Sequence, residues 1–217
     1  MTLRKNRGYS LLEMMIVLAV IIILSSFAVF RMQTVLNQAH LDTAYDTTLS
    51  TLRNTRNLAI AQSYQYIVTF NPGAGTIQVL WQPPMPSPPA AQVCPATQVA
   101  HTYTLPGDIT YGVRAGFPTA AASVPDGFGT GAAPVDFGYL TNGGGGGSAT
   151  VVFMPDGSIR DNSGGCAGLG NYSSGVIYLT RAADTIYASR AITVWGTTGR
   201  VRGWQLTQPG GPIWVQQ

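Results

Sequence analysis

The sequence predicts an α+β chain in which one long N-terminal helix, membrane-spanning in its first half, packs on an antiparallel β-sheet domain. Three observations predict it. Residues 9–70 contain no Gly and no Pro, whereas residues 71–217 hold all 14 Pro and every Gly except Gly8. From Leu11 to Phe30 the chain is apolar apart from Glu13, Ser25 and Ser26. After residue 63, short runs of β-branched and aromatic residues alternate with turn residues.

The helix comes first. With both strong breakers absent, residues 9–63 can run as one continuous element. Its apolar start is long enough for the ~30 Å hydrocarbon core, which takes about 20 helical residues. Arg4, Lys5 and Arg7 precede it, and positive flanks stay cytoplasmic, so the remainder faces outward. A secretory signal peptide shares this charge order, but its apolar core is shorter and a small-residue cleavage site follows it; none follows here. Past residue 31 the pattern turns amphipathic. Met32, Val35, Leu36 and Ala39 form a stripe that Tyr45, Leu49, Leu52 and Ala59 continue, with Asp42, Asp46, Arg53 and Asn57 interleaved.

The strands follow. YQYIVTF (64–70) and TIQVLW (76–81) flank Asn71-Pro72-Gly73-Ala74-Gly75, which predicts a hairpin. ATVVFM (149–154) runs into the turn Pro155-Asp156-Gly157. GVIYLTR (175–181) and SRAITVW (189–195) are further strands, and Gly196-Thr197-Thr198-Gly199 turns the chain into RVRGWQL (200–206). VAHTYTL (99–105), ITYGV (109–113) and VDFGYL (135–140) are weaker strands. Between them lie a stiff Pro-rich loop, QPPMPSPPA (82–90), and a flexible Gly-rich one, NGGGGG (142–147). The organisation is a leader at 1–8, a transmembrane helix at 9–31, its soluble half at 32–63, and a β-rich domain at 64–217 with a Pro/Gly-rich insert at about 82–148. The β-rich part is large enough for one core.

Charge and chemistry exclude several classes. Of 12 Lys and Arg, three stand before Gly8, which leaves nine against nine Asp and Glu, so bulk charge does not mark a nucleic-acid coat. The distribution is uneven: residues 188–217 hold Arg190, Arg200 and Arg202 and no acid. No catalytic set is visible and no enzyme is predicted. The glycine run lacks the Gly-Lys-Ser/Thr of a phosphate-cradling loop. With His40 and His101 as the two histidines, no metal-ligand cluster forms, and neither a metal nor another cofactor is expected. Cys94 and Cys166 face an oxidising compartment outside the membrane; a disulfide and two buried free thiols both remain open.

Glu13 is the anomaly, because a charge at that depth of a bilayer costs roughly 2.5–3.5 kcal/mol. A basic leader ends in Gly8, and Tyr9, Ser10, Leu11, Leu12 and Glu13 lead into the apolar run. This resembles the class III signal of type IV pilins and type II secretion pseudopilins. The resemblance implies that a membrane aspartyl prepilin peptidase cuts between Gly8 and Tyr9 and methylates the amine of Tyr9, with Glu13 becoming the fifth mature residue. The family usually starts with Phe, so Tyr9 is a mild departure. Physically, Glu13 can pair with the mature amine of its own or a neighbouring subunit, and a misplaced subunit leaves two buried charges unpaired. The carboxylate is then an assembly address, and the partners are other minor and major pilins or pseudopilins and inner-membrane lipid.

Two further regions resemble the GspH/FimT group of minor subunits: Arg56, Ala59 and Ile60 within LRNTRNLAIAQSYQYIVTF (52–70), and VVFMPDGSI (151–159) with RAITVWGTTGRVRGW (190–204). The implied role is a minor pilin at the tip of a type IV pilus that primes assembly, with its soluble domain periplasmic before it joins the fibre. A type II secretion minor pseudopilin that acts in protein export without DNA is the alternative. Gly199-Arg200-Val201-Arg202 resembles a motif linked to DNA capture in FimT-type pilins. If Arg200 and Arg202 alternate on a strand they share a face, Arg190 extends the patch, and Trp204 stacks on a base or fills the core. An ordinary solvated strand is the competing reading.

Overall fold

The computed structural model describes residues 10–83, 96–120, 122–129, 133–139, 147–163, 170–208 and 211–217, and gives the backbone alone for 28–37. Helix α1 runs Leu11–Gln62. The absence of Gly and Pro lets it run on, and Ser63 ends it by taking the left-handed conformation (φ 58) that Gly usually supplies at a helix C-terminus. The chain divides into two units, one ending at Ala39 and one spanning His40–Gln217.

In the first unit the large apolar side chains from Leu11 (80 % exposed) to Phe27 (68 % exposed) lie open. Among the described residues no helix is long and apolar enough to cross a membrane.

In the second unit α1 buries Leu41, Ala44, Tyr45, Thr48, Leu52, Thr55 and Ala59, at helical spacing. The two threonines tolerate this face because their hydroxyls are satisfied within the helix. Thr48 Oγ1 donates to the Ala44 carbonyl at 2.8 Å and Thr55 Oγ1 to that of Thr51 at 2.7 Å. Two antiparallel sheets complete the unit. The first has the order β3 (Gln98–Thr104), β2 (Thr76–Gln82), β1 (Gln65–Asn71), β6 (Thr150–Phe153), β7 (Ile159–Arg160). The second has the order β11 (Ile213–Gln216), β10 (Val201–Thr207), β9 (Arg190–Val194), β8 (Ser174–Arg181), β4 (Ile109–Tyr111), with β5 (Val135–Tyr139) also on β8. Both predicted hairpins form: Asn71 pairs with Thr76, and Val194 with Val201. The short β7 stitches the sheets together, because Ile159 N donates to Gly196 O at 2.7 Å and Ser173 N to Ile159 O at 3.0 Å.

The main core lies under α1 and takes from both sheets: Val68, Phe70, Val151 and Phe153 from one, Ile177, Leu179, Ile192 and Val194 from the other. A second core covers the far face of the second sheet, where Val176, Tyr178, Ala191 and Leu206 meet Phe117, Phe128 and Trp214. Phe117 and Phe128 belong to the insert expected at about 82–148, which also supplies β3 to the first sheet and β4 and β5 to the second, so its described part both extends the sheets and covers one face. Strand β8 is buried on both faces as a result. Complete burial of each aliphatic side chain contributes about 1.5–3 kcal/mol. Strand β10 approaches α1 through Gly203, where an added Cβ would coincide with the Tyr45 hydroxyl.

Two described strands were not read from the sequence. Strand β7 is two residues long, below any periodicity signal. Strand β11, IWVQ, is an edge with one buried side chain, Trp214.

Candidate functional site

Gly8 and Tyr9, the expected cleavage and methylation positions, lie outside the described residues, as do Cys94 and Cys166. Glu13 is exposed in the first turn of α1, beside Leu12 (67 % exposed) and Met14 (55 %). Nothing within the described first unit covers this face, so it is a charge set in an apolar surface.

At the other end of α1 three separated motifs converge on one side chain. Arg56 Nε donates to Gly157 O at 3.2 Å and Nη2 to Thr198 O at 2.9 Å. Thus the helix residue that carries one half of the GspH/FimT resemblance ties down both the Pro-Asp-Gly turn and the turn before Arg200. Ile60 approaches Gly157 beside it, and Ala59 is fully buried. Gly199 has φ 63, and a Cβ there would meet Gly157 O and the Arg56 guanidinium, so glycine is required for the close approach. The Asp156 carboxyl is pushed up by burial, but bonds from the Ser158 hydroxyl and amide, with the Arg160 charge, hold it below the ordinary carboxylate range.

The three arginines of the C-terminal segment part company. Arg202 stands on β10 and donates from Nη1 to Oδ1 of Asp126, whose side chain is 5 % exposed. Asp126 also accepts from Thr193 Oγ1, which itself accepts from Trp204 Nε1 at 2.9 Å. This network lies on the far face of the second sheet. Trp204 packs against the second core there, so of its two expected roles the structure supports the apolar one. Arg190 Nη2 donates to Asp42 Oδ1 on α1 at 2.9 Å. Arg200 is exposed, with no side-chain partner among the described residues, and lines a cleft with Arg53, Arg56, Asn57, Gly199 and Val201. The expected shared face of Arg200 and Arg202 does not form. Arg200 stands just before β10, at the exit of the Gly199 turn with its carbonyl accepting from Trp195 N at 2.9 Å, and lines the cleft beside α1, whereas Arg202 holds Asp126 on the far face.

Sequence reasoning missed Asp126, 76 residues from Arg202, and did not bring Arg53 and Arg56, named on the helix, to Arg200 more than 140 residues away. It also missed the cluster in which Asp108 accepts from Arg181 Nε at 2.8 Å and lies 3.0 Å from His40 Nδ1, with Arg181 also held by Asp184 at 2.8 Å. Burial pushes the Asp108 carboxyl up, but its bonds to His40 and Arg181 outweigh this and lower it. His101, on β3, lies exposed with its ring 6.0 Å from that of Tyr103.

The family model of the prokaryotic N-terminal methylation motif matches residues 3–29. That motif leads into the long helix α1, which is followed by the antiparallel β strands. Among solved structures, the minor pseudopilin EpsH from the type 2 secretion system of Vibrio cholerae is similar at 9 % identity, over 76 % of this chain and 94 % of that one, with a TM-score of 0.43. No curated protein matches.

Proposed function

We propose that this chain is a minor pilin of the GspH/FimT type: a single-pass inner-membrane subunit with a periplasmic β domain, which is cut after Gly8, methylated on Tyr9, and then primes assembly at a pilus tip. The observation that carries the reading is the open apolar helix surface from Leu11 to Phe27 with Glu13 as its one charge. Such a surface finds cover in lipid first and in neighbouring helices afterwards. The carboxylate then decides the register of docking by pairing with a mature N-terminal amine.

The test separates processing from assembly. Glu13→Ala should be cut normally, as judged by intact mass, yet enter fibres poorly, whereas Gly8→Leu should keep its leader and stay in the inner membrane. Normal fibre entry by Glu13→Ala would refute the docking role, and normal maturation of Gly8→Leu would refute the prepilin reading.

A finer part of the proposal is that the tip binds DNA through its acid-free C-terminal segment. Arg190 and Arg202 already hold Asp42 and Asp126, which leaves Arg200 as the fork open to phosphate. In a gel shift at low salt with duplex DNA, Arg200→Gln should weaken the full chain more than Arg190→Gln does. Equal binding by both variants would remove Arg200 from the interface.

A further inference from the structure

The guanidinium groups of the described second unit fall into three sets. Arg181, Arg190 and Arg202 each bond a carboxylate. Arg114 and Arg160 bond no carboxylate but are taken up elsewhere, Arg114 by the carbonyls of Arg181, Ala182 and Asp184 and Arg160 by Gly170 O and the Tyr172 ring. Arg53, Arg56 and Arg200 also bond no carboxylate, and these three line a single cleft of about 280 Å³. Its remaining lining, Asn57, Gly199 and Val201, brings no acid. Three like charges around one concavity repel one another, and a bound anion removes that penalty.

The cleft is built. Arg56 is fixed by the carbonyls of Gly157 and Thr198. Arg53 reaches Val201 O at a long 3.4 Å, a bond it can exchange for a stronger, charge-assisted one. Arg200 follows Gly199, whose bare α-carbon lets that turn lie against Gly157 and Arg56. We propose that this cleft binds a phosphate-type oxyanion, with Arg53 and Arg200 as ligands and Arg56 as the fixed charge behind them. A planar carboxylate takes one guanidinium fork in bidentate fashion, whereas a tetrahedral phosphate has oxygens enough to share among three. The anion's source is either free orthophosphate or the phosphodiester of a polynucleotide. The inference rests on the cleft alone, and stands whether or not the assembly and DNA readings do.

The experiment titrates the full chain in detergent with sodium phosphate, the dinucleotide dTpT and sodium acetate, against sodium chloride at matched ionic strength. The readouts are the Arg Nε–H NMR signals and the melting temperature. Saturable shifts of the Arg53 and Arg200 signals are expected with phosphate or dTpT, and the tighter of the two identifies the source. Arg53→Gln with Arg200→Gln should lose about tenfold or more in affinity, the loss of one charge-assisted contact being enough for that. Arg200→Gln alone should lose part of it. Arg190→Gln, outside the cleft, should bind as the parent does. No saturable binding beyond chloride, equal binding by acetate, or full binding by the double variant with an unchanged anion-free melting temperature would overturn the proposal.

Discussion

Helix α1 holds two stretches of opposite character. Between Leu11 and Phe27 nearly every residue is apolar and every side chain is exposed. Between His40 and Gln62 half the residues are polar, yet a continuous stripe is buried to a few per cent exposure. Apolar content therefore does not determine burial here. What determines it is whether the chain itself supplies an opposing surface. The second stretch has two sheets facing it, with Tyr45 against Gly203 as the closest approach. The first meets no such surface among the described residues of its own unit.

Truncation on the two stretches gives the largest expected contrast. Leu52 is fully buried and Leu18 is 58 % exposed. Leu52→Ala should destabilise the β domain by about 2–5 kcal/mol, the lost transfer energy plus a cavity. Leu18→Ala should leave the unfolding of that domain unchanged. Denaturant unfolding of the full chain in detergent, followed by Trp fluorescence, reads both. A comparable loss from Leu18→Ala would mean that the first stretch does have a surface within its own chain.

The same contrast explains what the sequence made legible. Gly and Pro are partitioned so sharply that the helix, observed at Leu11–Gln62, and nine of the eleven strands among the described residues could be placed within a residue or two. Part of the helix stripe was missed. Thr48 and Thr55 read as polar, and only the carbonyl one turn back makes them core residues. The arginine cleft was half visible. Arg56, Ala59, Ile60, Pro-Asp-Gly and Gly-Arg-x-Arg each stood out, but nothing in one dimension says that Arg56 binds the other two motifs. Alternation on a strand put Arg200 with Arg202, and one glycine turn undid it. Three strands of the insert were legible as β3, β4 and β5, but its role as a cover was not, because that depends on Phe117 and Phe128 landing on the back of β8 and its neighbours.

A second prediction concerns how the buried stretch begins. His40 of α1, Arg181 of β8 and Asp184 after it surround or extend the Asp108 site. Asp108→Asn should cost on the order of 1 kcal/mol at neutral pH, discounted for partial exposure. Because the native carboxyl is held below its ordinary value of 3.8, its contribution is fully present above that pH and is lost as pH falls through the native value. The gap between parent and Asp108→Asn should therefore close on acidification below about pH 4 and stay constant from there to pH 6. A gap that persists at pH 2 would show that the carboxylate charge contributes nothing.

The smallest expected effect lies on α1 one turn before Tyr45. Asp42 and Arg190 join α1 to β9 at 2.9 Å, but the Asp42 side chain is 55 % exposed. An ion pair so open gains little from Coulomb attraction in water and loses side-chain entropy on both sides. Arg190 keeps a second, longer bond to the Ala188 carbonyl at 3.4 Å, so it is not left without a partner when the carboxylate goes. Asp42→Asn should therefore cost no more than about 0.2–1 kcal/mol, and the cost should shrink as salt is raised toward 1 M. Equilibrium unfolding of parent and variant at low and high salt measures it. A salt-independent loss above that range would mean that α1 is held to the second sheet by this pair rather than by the stripe from Leu41 to Ala59.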